Sequence, residues 1–136
     1  MTGGGQGLGL VSARALLEHG LSKLAIFDID EQVGLAALQH FHSLDARYKQ
    51  DVIVRKVDIA NEASVNENVE MVASTFGGID ILVNFAGITG SKLAVEYLID
   101  DWKKIFDVNL HGSFLVARAV AKSVYAFSFR YDADLR

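Results

Sequence analysis

The sequence predicts an α/β protein with a doubly wound parallel sheet. Three short apolar runs, "KLAIFDI" (23–29), "DVIVRKVDI" (51–59) and "IDILVNFAG" (79–87), are β-branched, nearly continuous and bounded by turn residues, as strands covered on both faces tend to be. Stretches with helical periodicity lie between them, and a glycine-rich turn opens the chain directly ahead of the first helix. Strands and helices alternating at this spacing favour right-handed crossovers, with helices on both faces of the sheet.

The elements can be justified in chain order. "TGGGQGLG", Thr2 to Gly9, leads into an amphipathic helix whose Leu10, Ala13, Leu16 and Leu17 can face a sheet. After the first apolar run, Asp30 is a candidate cap for a helix carrying Val33, Ala37, Phe41 and Leu44 on one side. Asn61 plays the same part for a helix carrying Val65, Val69, Val72 and Phe76, which should stop at Gly77–Gly78. From about Asp100 to Phe127 a stripe of Trp102, Phe106, Asn109, Ser113, Val116, Val120 and Val124 predicts a long or broken helix. Asp100 and Asp101 read as its caps, and Trp102 and Phe106 as core.

Bulk properties narrow the function. The 136 residues fit one domain able to bury a real core, and 51% hydrophobic with 22% charged residues is the composition of a globular protein. Seventeen acidic against thirteen basic side chains leave a net charge of −4, and no basic run exceeds Lys103–Lys104. Nucleic acid and membrane surfaces are therefore poor partners. The chain has no cysteine, which excludes a disulfide framework, thiolate metal ligation and a Cys nucleophile, and fits a reducing compartment. No apolar stretch approaches the roughly 18 residues of a membrane helix, so a cytoplasmic location is expected. His40 and His42 stand two apart on a helix and point to different faces, so no metal site is expected and both read as surface residues. His111 reads as a solvated or core histidine.

The opening loop carries the chemistry. A helix start offers free N–H groups and the positive end of a dipole, and glycines there let the backbone approach an anion closely. No Lys-Ser/Thr pair follows, which argues against a nucleotide-triphosphate loop. Nineteen residues after Gly9, at the end of the next strand, stands Asp28. A dinucleotide fold places there the acid that hydrogen-bonds the adenosine ribose. A carboxylate at this point repels a 2′-phosphate, and Ile29 and Asp30 offer no compensating base, so NAD is preferred over NADP. The plainer alternatives are a flexible glycine turn and a strand-end acid capping the next helix.

From Thr2 to about Val124 the sequence resembles the short-chain dehydrogenase/reductase family. Thr2, Gly3, Gly7 and Gly9 match its T-G-x-x-x-G-x-G loop, Asp58–Ile59 its adenine-side acid, and "NFAG" its N-N-A-G turn through Asn84, Ala86 and Gly87, with Phe85 as a departure. "VNLHGSF" matches the helix segment whose Asn belongs to the catalytic tetrad, which assigns that place to Asn109. The resemblance implies a Rossmann-like fold, a typically homo-oligomeric assembly and hydride transfer between NAD(H) and a small secondary alcohol or ketone, a polyol or ketose among the candidates. It also implies cofactor contacts at Gly3, Gly5, Gln6, Gly7, Leu8, Asp28, Ile29, Asp58, Ile59, Asn84, Ala86 and Gly87. In the family this Asn marks a helix break, and its main-chain carbonyl holds a water of a proton relay. Even without that analogy, Asn109 lies on an apolar helix face, where an unpaired carboxamide costs roughly 1–3 kcal/mol, so it should have partners; an Asn that merely holds a loop is the alternative.

Other family features are absent. The Tyr-x-x-x-Lys acid/base pair does not occur: the residues four after Tyr48, Tyr97, Tyr125 and Tyr131 are Val52, Asp101, Phe129 and Leu135. The family's first strand would precede Thr2, and its fifth would follow the last helix. Residues 1–124 therefore read as an incomplete dinucleotide-binding domain without its first strand and C-terminal half. Residues 125–136 read as a tail outside the family pattern, with "FSFRYDADLR" translated outside the original frame of a truncated gene or splice product. The run 79–87 would then lack both sheet neighbours or pair unusually with the run at 23–29. The rival function is a non-catalytic dinucleotide-binding or regulatory module that pairs with a full-length relative; the third reading is a fragment with no function.

Overall fold

The structure is a computed structural model that describes residues 1–44 and 52–133, with side chains described through Val124. Helix α1 spans Gly7–Glu18, strand β1 Leu24–Asp28, α2 Glu31–Leu44, β2 Val52–Lys56 and α3 Glu62–Phe76. A short 3₁₀ turn at Ala94–Glu96 precedes α4 (Ile99–Phe106), a π-helical turn at Asp107–Gly112 and α5 (Ser113–Ala133). β1 and β2 pair in parallel from Leu24 with Val52 to Asp28 with Lys56.

Side chains alternate across a strand, so β1 serves two cores at once. Leu24 and Ile26 point to one face and pack with Ala13 and Leu17 of α1, Ala37 and Phe41 of α2, and Val52. Phe27 points to the other face and packs with Val57, Ile59, Val65, Val69 and Val72, and with Val116 and Ala119 of α5. Helices therefore cover both faces of the sheet, as in an incomplete Rossmann fold. The buried apolar side chains of α1, α2 and α3 fall on the stripes that their sequence spacing predicts, apart from Ala73 of α3, which is buried beside its stripe, and with Leu44 exposed at the end of its own.

The caps at Asp30 and Asn61 form as expected. Asp30 Oδ1 accepts the Gln32 and Val33 amides, and Asn61 Oδ1 accepts the Ser64 amide. Gly77 ends α3 at φ 85°.

Four expectations are corrected. The run at 79–87 is not a strand: its ladder contact is the single parallel bridge between Thr2 and Asn84. The reason is that among the described residues only Thr2 pairs with it, donating its amide to Val83 O at 3.0 Å and accepting the Phe85 amide on its own carbonyl at 3.0 Å. Thr2 also bridges Phe27, so Met1–Gly3 lies between β1 and the 79–85 segment, in place of any direct pairing between those two among the described residues. Above this short ladder, Ala25, Phe27, Ile79 and Val83 line a cavity of about 260 Å³. Second, Asp100 and Asp101 do not cap α4; Leu98 holds the cap position, and the acids pair instead with Lys103 at 3.5 Å and Lys92 at 2.8 Å. Third, Trp102 and Phe106 are 47% and 39% exposed, with their rings tilted against each other at 4.2 Å between centroids rather than buried, because among the described residues no element packs over that side of α4. Fourth, His42 is half-buried where a surface residue is expected; His40 is exposed. Asp51, the first residue of the second apolar run, and the side chains of the 125–136 tail lie outside the described residues.

Candidate active site

The loop Thr2–Gln6 is set by what surrounds it. Gly3 sits at φ 62°, and a Cβ there would lie 2.6 Å from the Ala86 amide nitrogen, so only glycine lets these two turns meet. Buried Thr2 ties the same turns through its side chain: Thr2 Oγ1 donates to Asn84 Oδ1 at 3.1 Å and accepts the Ala86 amide at 3.2 Å. Asn84 Nδ2 donates onward to the Ser113 carbonyl at 3.4 Å. α1 then starts at Gly7 with no side-chain cap and no acid in its first turn, which leaves its first amides and the positive end of its dipole facing outward.

These turns border a cleft of about 810 Å³. Gly3, Gln6 and Leu8 form one part of its wall, Asp28 and Ile29 another, Asp58 and Ile59 a third, and Ala86 and Gly87 a fourth. Nine residues expected at the site thus converge on one concavity. Gly5, Gly7, Asn84 and Asn109 do not line it. Gly5 acts from behind, donating its amide to Asp28 Oδ2 at 3.2 Å, while Asp28 Oδ1 accepts the Asp30 amide at 3.2 Å. Asp28 therefore does not cap α2, which Asp30 caps. Asp58 Oδ1 accepts the Ala60 amide at 3.0 Å.

Asn109 lies within the π-helical turn, where an extra residue per turn interrupts the helix. Its carboxamide spans both main-chain groups of Ile88: Oδ1 accepts the Ile88 amide at 2.8 Å, and Nδ2 donates to the Ile88 carbonyl at 2.9 Å. Its own carbonyl accepts Ser113 Oγ at 2.8 Å. The side chain thus holds the segment after Gly87 against the cleft. His111 is exposed and meets Asp107 at 3.0 Å.

Ile88, Lys104, Asp107 and Val108 also line the cleft, beyond the site residues expected from sequence. Lys104, Asp107 and Val108 follow one helical face at i, i+3 and i+4 just ahead of Asn109, a spacing that could have located them. Ile88 carries no such signal.

The residues suit a dinucleotide. A helix start with free amides, a backbone cradle at Gly3 that a Cβ would fill, and a carboxylate at the end of the following strand are what a diphosphate-linked ribose pair requires. Among the described residues, no group of three metal-ligating side chains occurs, and no helix is long and apolar enough to cross a membrane.

Comparison with known proteins agrees with this geometry. The family model for short chain dehydrogenases matches residues 1–128. An oxidoreductase of Thermotoga maritima is 33% identical over 124 residues, covering 91% of this chain and 46% of the relative. A 3-alpha-(or 20-beta)-hydroxysteroid dehydrogenase of Mycobacterium bovis is 34% identical over 122 residues, covering 90% of this chain and 44% of the relative. The solved structure of a short-chain dehydrogenase from Novosphingobium aromaticivorans superposes with a TM-score of 0.82 at 28% identity, over 90% of this chain and 44% of that one. The chain thus spans less than half the length of these three relatives. By motif, fold and match over most of its length, it belongs to the short-chain dehydrogenase family.

Proposed function

We propose that this chain is the cofactor-binding portion of an oxidoreductase that moves hydride between NAD(H) and a secondary alcohol or ketone, with a polyol or ketose as one substrate class. The observation that carries the reading is the convergence of the α1 start, Asp28 and Asp58 on one cleft. The match to a hydroxysteroid dehydrogenase supports chemistry at a CH–OH carbon.

In this reading the loop Gly3–Leu8 and the start of α1 receive the diphosphate, and Asp28 accepts the adenosine ribose hydroxyls and disfavours a 2′-phosphate. Asp58 and Ile59 border the adenine, and Ala86–Gly87 let the second ribose lie close to the chain. The bound nicotinamide supplies or accepts the hydride. Asn109 acts through position: its side chain fixes Ile88, which lines the cleft, while its own carbonyl accepts Ser113 Oγ. The Tyr-x-x-x-Lys pair is absent from the sequence, so the acid/base contribution, typically about 10²–10⁴-fold, is absent too. The 136-residue chain is therefore proposed to bind NAD(H) without turning over substrate, and to do so in the cytoplasm. That same absence favours the second reading, a non-catalytic dinucleotide-binding module that pairs with a full-length relative.

Titration of the chain with NADH and NADPH, followed by nicotinamide fluorescence, tests the proposal. NADH binding tighter than NADPH, with no oxidation of NADH by a panel of ketones, is the expected result. Turnover would refute the inactive-chain reading, and absence of any NADH signal would refute the cofactor reading.

A further inference from the structure

We propose that Lys104 is a cofactor-facing cation that carries part of the affinity for the anionic diphosphate, an inference that rests on the dinucleotide reading of the cleft. Three carboxylates line the cleft, Asp28, Asp58 and Asp107, against a single basic side chain, Lys104. Each carboxylate has a partner: Asp28 holds the Gly5 and Asp30 amides, Asp58 the Ala60 amide, and Asp107 meets His111. The Lys104 ammonium has no ion pair or hydrogen-bond partner among the described residues, although its backbone carbonyl accepts the Asp107 amide. The acids one turn before it on α4 are already taken, Asp100 by Lys103 and Asp101 by Lys92.

The cleft therefore has three carboxylates distributed over its lining and one uncommitted ammonium. An anion entering an acidic, partly enclosed space is repelled unless a cation stands nearby, and the opposing fields are less screened there than in open solvent. A lysine meets phosphate as a mobile point charge, and its four-carbon stem lets the head follow the ligand without a fixed geometry. The sequence places it by spacing as well: Lys104 is one helical turn before Val108, which lines the same cleft.

Calorimetric titration of the full 136-residue chain and the K104M, K104R and K103M variants, with NADH and with adenosine as probes, tests this at two salt concentrations. Expected is a loss of about three- to tenfold in NADH affinity for K104M at low salt, with a shallower salt dependence than the parent's. Adenosine, which has no phosphate, should bind K104M and parent alike. K104R should stay within about twofold of the parent, as should K103M, whose lysine pairs with Asp100 and does not line the cleft. NADH affinity and salt dependence unchanged in K104M would overturn the role of Lys104, and so would equal losses for NADH and adenosine. Failure of the parent to bind NADH would overturn the cofactor reading itself, a result visible before any variant is measured.

Discussion

The Gly5 amide donates to the carboxylate of Asp28 across 23 positions of sequence, at 3.2 Å. This bond sets the loop ahead of α1 against the end of β1, the two pieces of backbone that the proposed cofactor must touch together. It also explains why position 5 has no room for a side chain: a Cβ would lie 2.8 Å from Asp28 Oδ2 and 2.8 Å from Val33 Cγ1.

Gly5→Ala should therefore destabilise the fold by about 1–3 kcal/mol, the usual cost of overpacking a close contact. Chemical denaturation checks it through the midpoint at constant slope. A variant as stable as the parent would show that α2 shifts freely away from the loop.

Asn109→Ala should cost about 1–2 kcal/mol, since it removes both bonds to Ile88 at a solvent-accessible position. Asn109→Asp separates the two bonds. At neutral pH its carboxylate can still accept the Ile88 amide but faces the Ile88 carbonyl with no proton to donate, so it should be no more stable than Asn109→Ala. Acidification through the carboxylate range should narrow its deficit relative to the parent. Urea melts of both variants at neutral and acidic pH measure this.

The α-amino group of Met1 donates to the Ala25 carbonyl at 2.7 Å, and burial lowers its pKa from 8.0 to about 6. Between these values the unfolded chain binds more protons than the folded one, so this group makes stability rise with pH from 6 to 8, by about 2 kcal/mol. Parallel denaturation of the chain with its amine free and acetylated isolates the effect. The free form should gain stability relative to the acetylated form across that window; equal pH profiles would contradict the buried charge.

Much of the fold is legible in the sequence because burial and local geometry agree there. Ala37, Phe41, Val65 and Val69 lie on the faces their spacing predicts, and Asp30 and Asn61 cap as their side chains allow. The run at 79–87 has the same local signal as β1, yet a strand depends on its neighbours, and here only Thr2 is in register. Trp102 and Phe106 fail for a related reason: an apolar stripe marks a face that can be covered, and nothing in the described chain covers it. At the site, Asp28, Asp58 and the glycine loop are readable because each follows a strand or opens a helix. Ile88 is not, since it enters the cleft only through the clamp of Asn109.

Substitution of Asp28 by Ala should weaken NADH binding by about tenfold and reduce the discrimination against NADPH, as removal of a charge-assisted bond to ribose hydroxyls predicts. Affinities of the two cofactors for this variant, compared as a ratio with the parent's, provide the check. An unchanged ratio would remove Asp28 from the selectivity argument.

The most direct test of the central claim, that the cleft seats a dinucleotide and favours NAD, is a thermal melt of the 136-residue chain alone, with NADH and with NADPH. At about 100 times its dissociation constant, NADH should stabilise the native state by roughly 2.7 kcal/mol and raise a cooperative midpoint by on the order of 10 °C, with NADPH at the same concentration raising it less. A midpoint indifferent to NADH, or raised further by NADPH, would contradict the account.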